Sequence, residues 1–128
     1  MFNLIITITQ KNSDDTTTLT DSHGSILNVD PSYLRILYTE PEGASVVLDV
    51  YEDEVSMKRH DTWLTQSVFH KSERTELIVS NEHGIVKFDV DVVSMRREEN
   101  LLYIKYHLSQ NNQHVDELEF ECIWEPEE

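Results

Sequence analysis

Apolar and polar residues alternate with period two along most of this chain. The clearest run extends from Gly84 to Val93, where valine and phenylalanine alternate with lysine and aspartate. Successive side chains of a strand point to opposite faces of the sheet, so this run predicts a half-buried strand with one apolar and one charged face. The most regular run is at the other end of the sequence, where Leu118, Phe120, Cys122 and Trp124 alternate with glutamates.

The same pattern returns between turn signals along the chain. It predicts strands at about 2–9, 16–20, 33–40, 45–50, 55–59, 65–69, 75–79, 84–93, 102–108 and 117–124. Turns are expected at 12–15, at Gly24, and at 41–43, 52–54, 71–74, 80–84, 96–100 and 110–113. No ten residues carry apolar side chains at helical spacing, so we expect almost no helix beyond a single turn near 31–33.

Short strands joined by short turns are typical of an up-and-down barrel or a β-sandwich. A sandwich of Greek-key type needs a long crossing connection, and the only stretch that offers one is 22–31. We therefore predict an all-β fold, an antiparallel up-and-down barrel of about 8–10 strands. No linker or repeat divides the chain, which predicts one domain over 1–128 with an acidic frayed tail at 125–128.

The alternation also predicts which side chains face inward. We expect Phe88, Val90, Tyr106, Phe120 and Trp124 to be buried. We expect Asp89, Asp91, Glu119 and Glu121 to be exposed. The full set of bulky inward candidates is Phe2, Ile6, Tyr38, Leu48, Met57, Phe88, Tyr106, Phe120 and Trp124.

Charge narrows the classes of partner. Asp and Glu number 25 against 10 Lys and Arg, which gives a formal net charge of -15. A field of that sign repels phosphate polymers and anionic membrane surfaces, so we expect no nucleic acid and no membrane partner. The single cysteine excludes an intramolecular disulfide, and with the absence of a leader or spanning segment it favours a cytoplasmic protein. A protein partner or a homo-oligomer is left open.

Candidate chemistry is sparse. The six histidines show no spacing that places two imidazoles on one face, so we predict no metal and no cofactor. Asp89 and Asp91 share a strand face and could hold a hard cation together with Asp49 or with a glutamate of a neighbouring strand, although carboxylates on a solvated face are commoner. Cys122 lies on an apolar face, where a thiol is inert, and no nucleophile motif is present. We therefore expect no enzyme.

Arg59 is the exception, because alternation places it on the face of Val55 and Met57. A guanidinium among apolar side chains is costly unless it meets a carboxylate, a carbonyl, an aromatic face or a ligand anion. The alternative is that Arg59 lies at a strand end and reaches water at the barrel mouth. The candidate ligand-binding residues are Arg59, Tyr38, Tyr106, Met57 and Trp124.

Several phrases of the sequence are shared with a known family. They are the segments 33–40, 55–59, 75–77 leading to Gly84, and 102–106, in this order and spacing. Together they resemble the YwiB-like family of bacterial domains of unknown function, which is grouped with the calycin-like β-barrels. The resemblance covers nearly the whole chain and implies a closed or nearly closed antiparallel barrel. It supplies no catalytic residues, and ligand binding inside related calycin barrels is an analogy of fold.

Two functional hypotheses follow. In the first, a non-catalytic barrel binds a small, partly apolar, anionic ligand in its interior, with Arg59 as the anchor. In the second, the barrel is filled by its own side chains and the protein is an interaction or structural module. A barrel of this size can be packed or can hold one small ligand, so the interior volume separates the two.

Overall fold

The computed structural model describes residues 4–30 and 32–126, and these residues form ten β-strands and no helix. The strands are β1 (Leu4–Lys11), β2 (Thr16–Asp30), β3 (Tyr33–Thr39), β4 (Ser45–Val50), β5 (Glu54–His60), β6 (Leu64–His70), β7 (Thr75–Asn81), β8 (Gly84–Glu98), β9 (Leu101–Gln110) and β10 (Gln113–Pro126). Within the described residues no helix has the length and apolar character needed to cross a membrane.

Each strand pairs antiparallel with the strands before and after it, and β1 pairs with β10 to close the barrel. At the closure Ile6 lies opposite Trp124 and Ile8 opposite Cys122. The prediction of an all-β, up-and-down antiparallel barrel is therefore confirmed, with ten strands. Closure leaves each strand with two neighbours, although the pairing does not run the full length of every strand.

The loops divide between the two ends of the barrel. We call the end formed by loops 12–15, 40–44, 61–63, 82–83 and 111–112 the acidic mouth. Local chemistry shapes these turns: Asn111 and Asn112 adopt positive φ angles of 53° and 62°, and Gly43 has a φ of 105°. Asparagine and glycine tolerate this region better than other residues, which explains their use in the tight turns.

Two strands are longer than the alternation predicts, because β-bulges interrupt it. We expected the β8 strand to end at Val93 and a turn at 96–100, but β8 continues to Glu98 with a register shift between Val92 and Ser94. The bulge adds one residue, so the inward-facing positions change from even-numbered to odd-numbered residues. In the sequence this break in the alternation looks like the end of the strand. The predicted turn at Gly24 is also wrong, because Gly24 lies within β2, beside a register shift between Leu4 and Ile6 of β1.

The core occupies the middle of the barrel and the end opposite the acidic mouth. Of the predicted inward residues, Ile6, Tyr38, Leu48, Tyr106 and Phe120 are buried. Met57, Phe88 and Trp124 are only half-buried and pack against this core. Phe2 lies outside the described residues. Burying a large apolar side chain contributes about 1.5–3 kcal/mol, so the buried set supplies much of the stability.

The charged faces are less exposed than predicted. Asp89, Asp91, Glu119 and Glu121 are half-buried rather than exposed. Neighbouring side chains bond to two of them: the guanidinium of Arg74, in the loop before β7, donates to Asp91, and the hydroxyl of Tyr103 on β9 donates to Glu119. Conversely, Val86 is 43% exposed, and the register that pairs β8 with β9 begins only at Asp89.

Candidate functional site

A cavity of about 330 Å³ opens inside the barrel at the acidic mouth. Its apolar wall is formed by Leu19, Met57 and Leu77, together with the rings of Tyr38 and Tyr106. These residues come from five strands, and each is at an inward position of its strand. The volume lies at the lower end of the range for ligand pockets, which suits a small molecule.

The polar part of the wall comes from the strand ends at the same mouth. Gln10 and Thr17 lie at the β1–β2 end, and Thr65 lies near the start of β6. Glu40 and Arg59 complete the lining. One cavity therefore combines an apolar wall with a few converging polar groups, the usual composition of a small-molecule site.

Arg59 is paired with two carboxylates. Its Nε donates to Glu40 Oε2 at 3.0 Å and its Nη2 donates to Glu40 Oε1 at 2.9 Å. Its Nη1 donates to Asp61 Oδ2 at 2.9 Å. The hydrogen bonds to Glu40 raise the pKa of Arg59 above its ordinary value, so the guanidinium stays charged.

The turns that carry the two carboxylates are themselves held by hydrogen bonds. The backbone N–H of Glu40 donates to Ala44 O at 2.8 Å, and Glu40 O accepts from Gly43 N at 2.9 Å. Asp61 Oδ1 accepts from Trp63 N at 2.7 Å, and this bond lowers the pKa of Asp61. The guanidinium is therefore held in a fixed geometry. Together, Arg59, Glu40 and Asp61 carry a formal charge of one negative unit.

Two tyrosine hydroxyls in the cavity wall have no hydrogen-bond partner among the described residues. Tyr38 is 4% exposed and Tyr106 is 7% exposed. Burial raises the pKa of Tyr106 to about 12 and raises that of Tyr38 further, so both remain protonated donors at neutral pH. The rings are buried, and hydroxyls that line a cavity without a partner in the protein can form hydrogen bonds with a molecule that enters it.

The structure brings together four of the five residues predicted to form the site. Arg59, Tyr38, Tyr106 and Met57 line the same cavity. Trp124 is not in its lining: the Trp124 N–H donates to Asn100 O at 3.2 Å, in a loop at the opposite end of the barrel. Trp124 faces the core as alternation requires, but it lies at another height along the barrel axis.

Glu40 and Asp61 are the charged residues of the site that the sequence reasoning missed. A signal for Glu40 was present, because it continues the inward alternation of Ile36 and Tyr38 by one further step. The alternation predicts a strand that ends at Glu40, and its period places that last side chain on the inward face. No signal in the sequence pairs Arg59 with Glu40, since 19 positions separate them.

The structure also shows the surroundings of the other candidate groups, the aspartates of the alternative cation site and the thiol of Cys122. Among the residues that the structure describes, no group of three His, Cys, Asp or Glu side chains is placed to hold a metal ion. Asp91 and Asp49 are instead paired with Arg74 and Arg35 at 2.8 Å and 2.7 Å. Burial raises the pKa of the Cys122 thiol to about 12, which makes it a poor nucleophile at neutral pH.

A second, wider groove of about 460 Å³ lies on the outer wall over β4 to β7. Val47, Val68 and Ile78 supply its apolar part, and Lys58 and Glu76 lie among its charged residues. Its one unpartnered buried polar atom among the described residues, Ser67 Oγ, is enclosed in the wall. The groove therefore lacks the converging free polar groups of the mouth cavity.

Comparison with known proteins places this barrel in a family. The model of the family described as Domain of unknown function (DUF1934) matches residues 3–121. The chain belongs to this family. No curated protein matches the DUF1934 chain described here.

A solved structure similar to this DUF1934 member is the ywiB protein from Bacillus subtilis. The two chains are 13% identical, the match covers 99% of this chain and 93% of that one, and the TM-score is 0.67. At this identity the likeness concerns the fold alone. The resemblance inferred from the strand phrases is confirmed, both by the family match and by this fold.

Proposed function

We propose that this protein is a non-catalytic barrel that binds a small, partly apolar molecule in the cavity at the acidic mouth. The observation that carries the proposal is the pair of tyrosines, Tyr38 and Tyr106, which line an apolar-walled cavity and whose hydroxyls make no hydrogen bond to the described residues. A ligand's polar group would satisfy these donors, and its apolar part would contact Leu19, Met57 and Leu77.

The sequence-based form of this proposal is narrower: the ligand is an anion and Arg59 is its anchor. The ion pairs of Arg59 with Glu40 and Asp61 disfavour this narrower proposal, because an anion would have to compete with both carboxylates for the guanidinium. The single cysteine is consistent with work in the reducing cytoplasm.

Melting temperature in the presence of 1-octanol provides the test. Octanol combines one hydroxyl with an apolar chain, and at a free concentration of a hundred times its Kd it should stabilise the fold by about 2.7 kcal/mol. For a domain of this size that corresponds to a rise of about 5–20 °C, at roughly 2–8 °C per kcal/mol. Tyr38→Phe and Tyr106→Phe should each reduce the rise.

Two further variants locate the binding. Thr17→Phe should abolish the shift, because Thr17 lines the cavity but is itself exposed, so a larger side chain fills the mouth without disturbing the core. Tyr51→Phe is the matched control, since Tyr51 is 45% exposed on the outer surface, where it stacks on Tyr33. A shift that is absent, or that survives Thr17→Phe unchanged, would replace this proposal with the filled-barrel interpretation.

A further inference from the structure

The acidic mouth has a one-sided charge distribution. Its five loops carry six carboxylates, at Asp14, Asp15, Glu40, Glu42, Asp61 and Glu82, and contain no lysine or arginine. The loops at the opposite end have mixed charge, with four carboxylates beside Lys71 and Arg74. A concave opening lined by one sign of charge lowers the local concentration of ligands of the same sign.

Inside the cavity, the one cation is already committed. A guanidinium has five N–H donors, and three of those of Arg59 are directed at Glu40 and Asp61. Glu40 is the more buried of the two carboxylates, with its side chain 13% exposed. An incoming carboxylate that displaced it would leave Glu40 without its partner in a poorly solvated position, which is costly.

The groups without partners are neutral. The hydroxyls of Tyr38 and Tyr106 can donate to, and accept from, an alcohol, an amide or a carbonyl. A neutral polar group also loses much less hydration free energy on entering an apolar cavity than a carboxylate or an ammonium does. The wall therefore matches a neutral polar group better than a charged one.

From these observations we infer that the mouth cavity selects ligands whose polar group is uncharged, and that Glu40 is the residue that excludes anions. This inference rests on the proposed function, since it names the class of ligand that the same cavity takes. Arg59 then acts as a brace between loops 40–44 and 61–63 rather than as the ligand's anchor.

The test compares three ligands that share one chain and differ in the end group: 1-octanol, octanoate and octylammonium. Dissociation constants are measured by calorimetric titration at low ionic strength with the full chain. We expect wild-type protein to bind octanol at least tenfold more tightly than octanoate, and also more tightly than octylammonium.

Glu40→Gln should raise octanoate affinity at least tenfold, because it removes one carboxylate and releases two guanidinium N–H donors. Glu42→Gln is the matched control: it removes a charge from the same loop, and Glu42 is exposed and outside the cavity lining. It should change octanoate affinity less than threefold. Asp61→Asn releases one guanidinium donor and leaves the Glu40 pair in place, so it should raise octanoate affinity by an intermediate factor. This variant replaces Glu40→Gln in the test if Glu40→Gln does not fold.

The outcomes separate the two proposals. If none of the three ligands binds wild-type protein, the proposed function fails. If octanol binds but octanoate or octylammonium binds as tightly, the inferred selectivity is wrong while the proposed function stands. The inferred role of Glu40 is also wrong, and the proposed function still stands, if Glu40→Gln and Asp61→Asn raise octanoate affinity no more than Glu42→Gln does.

Discussion

Gly24 is the position at which the smallest possible change should have a large structural effect. It lies in β2 where pairing passes from β1 to β3, with its backbone against the Ile6 side chain. A Cβ at Gly24 would lie 2.2 Å from Ile6 Cδ1, 2.7 Å from Ile6 Cγ1 and 3.3 Å from Leu37 O. Since carbon atoms pack best at about 3.5–4.0 Å, Gly24→Ala must displace the isoleucine.

The magnitude follows from the burial of that neighbour. Ile6 is 0% exposed, so its side chain cannot move out into solvent and must shift within the core. Adding a methyl group to a packed core destabilises the fold by about 1–3 kcal/mol. Replacing glycine by alanine also lowers the entropy of the unfolded chain, which stabilises the fold by about 0.4–1 kcal/mol. We expect a net loss of about 1–2 kcal/mol in the free energy of unfolding.

A second substitution should relieve the contact. Ile6→Val removes Cδ1, the atom closest to the new Cβ, at a cost of about 0.5–1.5 kcal/mol by itself. The double variant Gly24→Ala, Ile6→Val should therefore lose less stability than the sum of the two single variants, by about 1 kcal/mol.

Urea unfolding of the four proteins measures this coupling. Gly84→Ala is the control, because a Cβ there meets nothing within 4 Å. We expect it to change the free energy of unfolding much less than Gly24→Ala. If Gly24→Ala is as stable as wild type, or if the two substitutions are additive, close packing of β2 against β1 does not limit the sequence at this position.

Two further predictions concern the core. Phe120→Ala should lower the free energy of unfolding in urea by about 3–5 kcal/mol, because Phe120 is 5% exposed, while Glu119→Ala on the opposite face should cost clearly less; the reverse order would mean that the register is shifted by one. In alkali, the folded chain keeps the Tyr106 proton up to its raised pKa of about 12, whereas the unfolded chain loses it near its ordinary pKa of 10.0. This contribution, on the order of 3 kcal/mol, is complete below the lower value and is lost as pH rises to the higher one. Tyr106→Phe should flatten the fall in stability over that interval, and an unchanged slope would show that burial of this phenol does not contribute.

Local sequence determined most of the fold. The inward alternation of β3, β4 and β9 agrees with the observed burial, for example at Ile36, Leu48 and Ile104. Short polar turns predicted the meander, because neighbouring strands joined by two to five residues can only pair antiparallel. The alternation also placed Arg59 and Tyr38 on inward faces, since that requires only the period of a strand.

Three features depended on the tertiary structure. The bulge between Val92 and Ser94 changes the inward positions of β8, and no residue type marks it in advance. The height of each inward residue along the barrel axis depends on the stagger between strands, which separates Trp124 from the cavity that Tyr38 and Tyr106 line. The pairing of Arg59 with Glu40 arises because β3 and β5 both flank β4 and end at the same mouth. A period of two specifies the face of a strand on which a side chain lies, whereas its neighbours across the barrel are set only when the sheet closes.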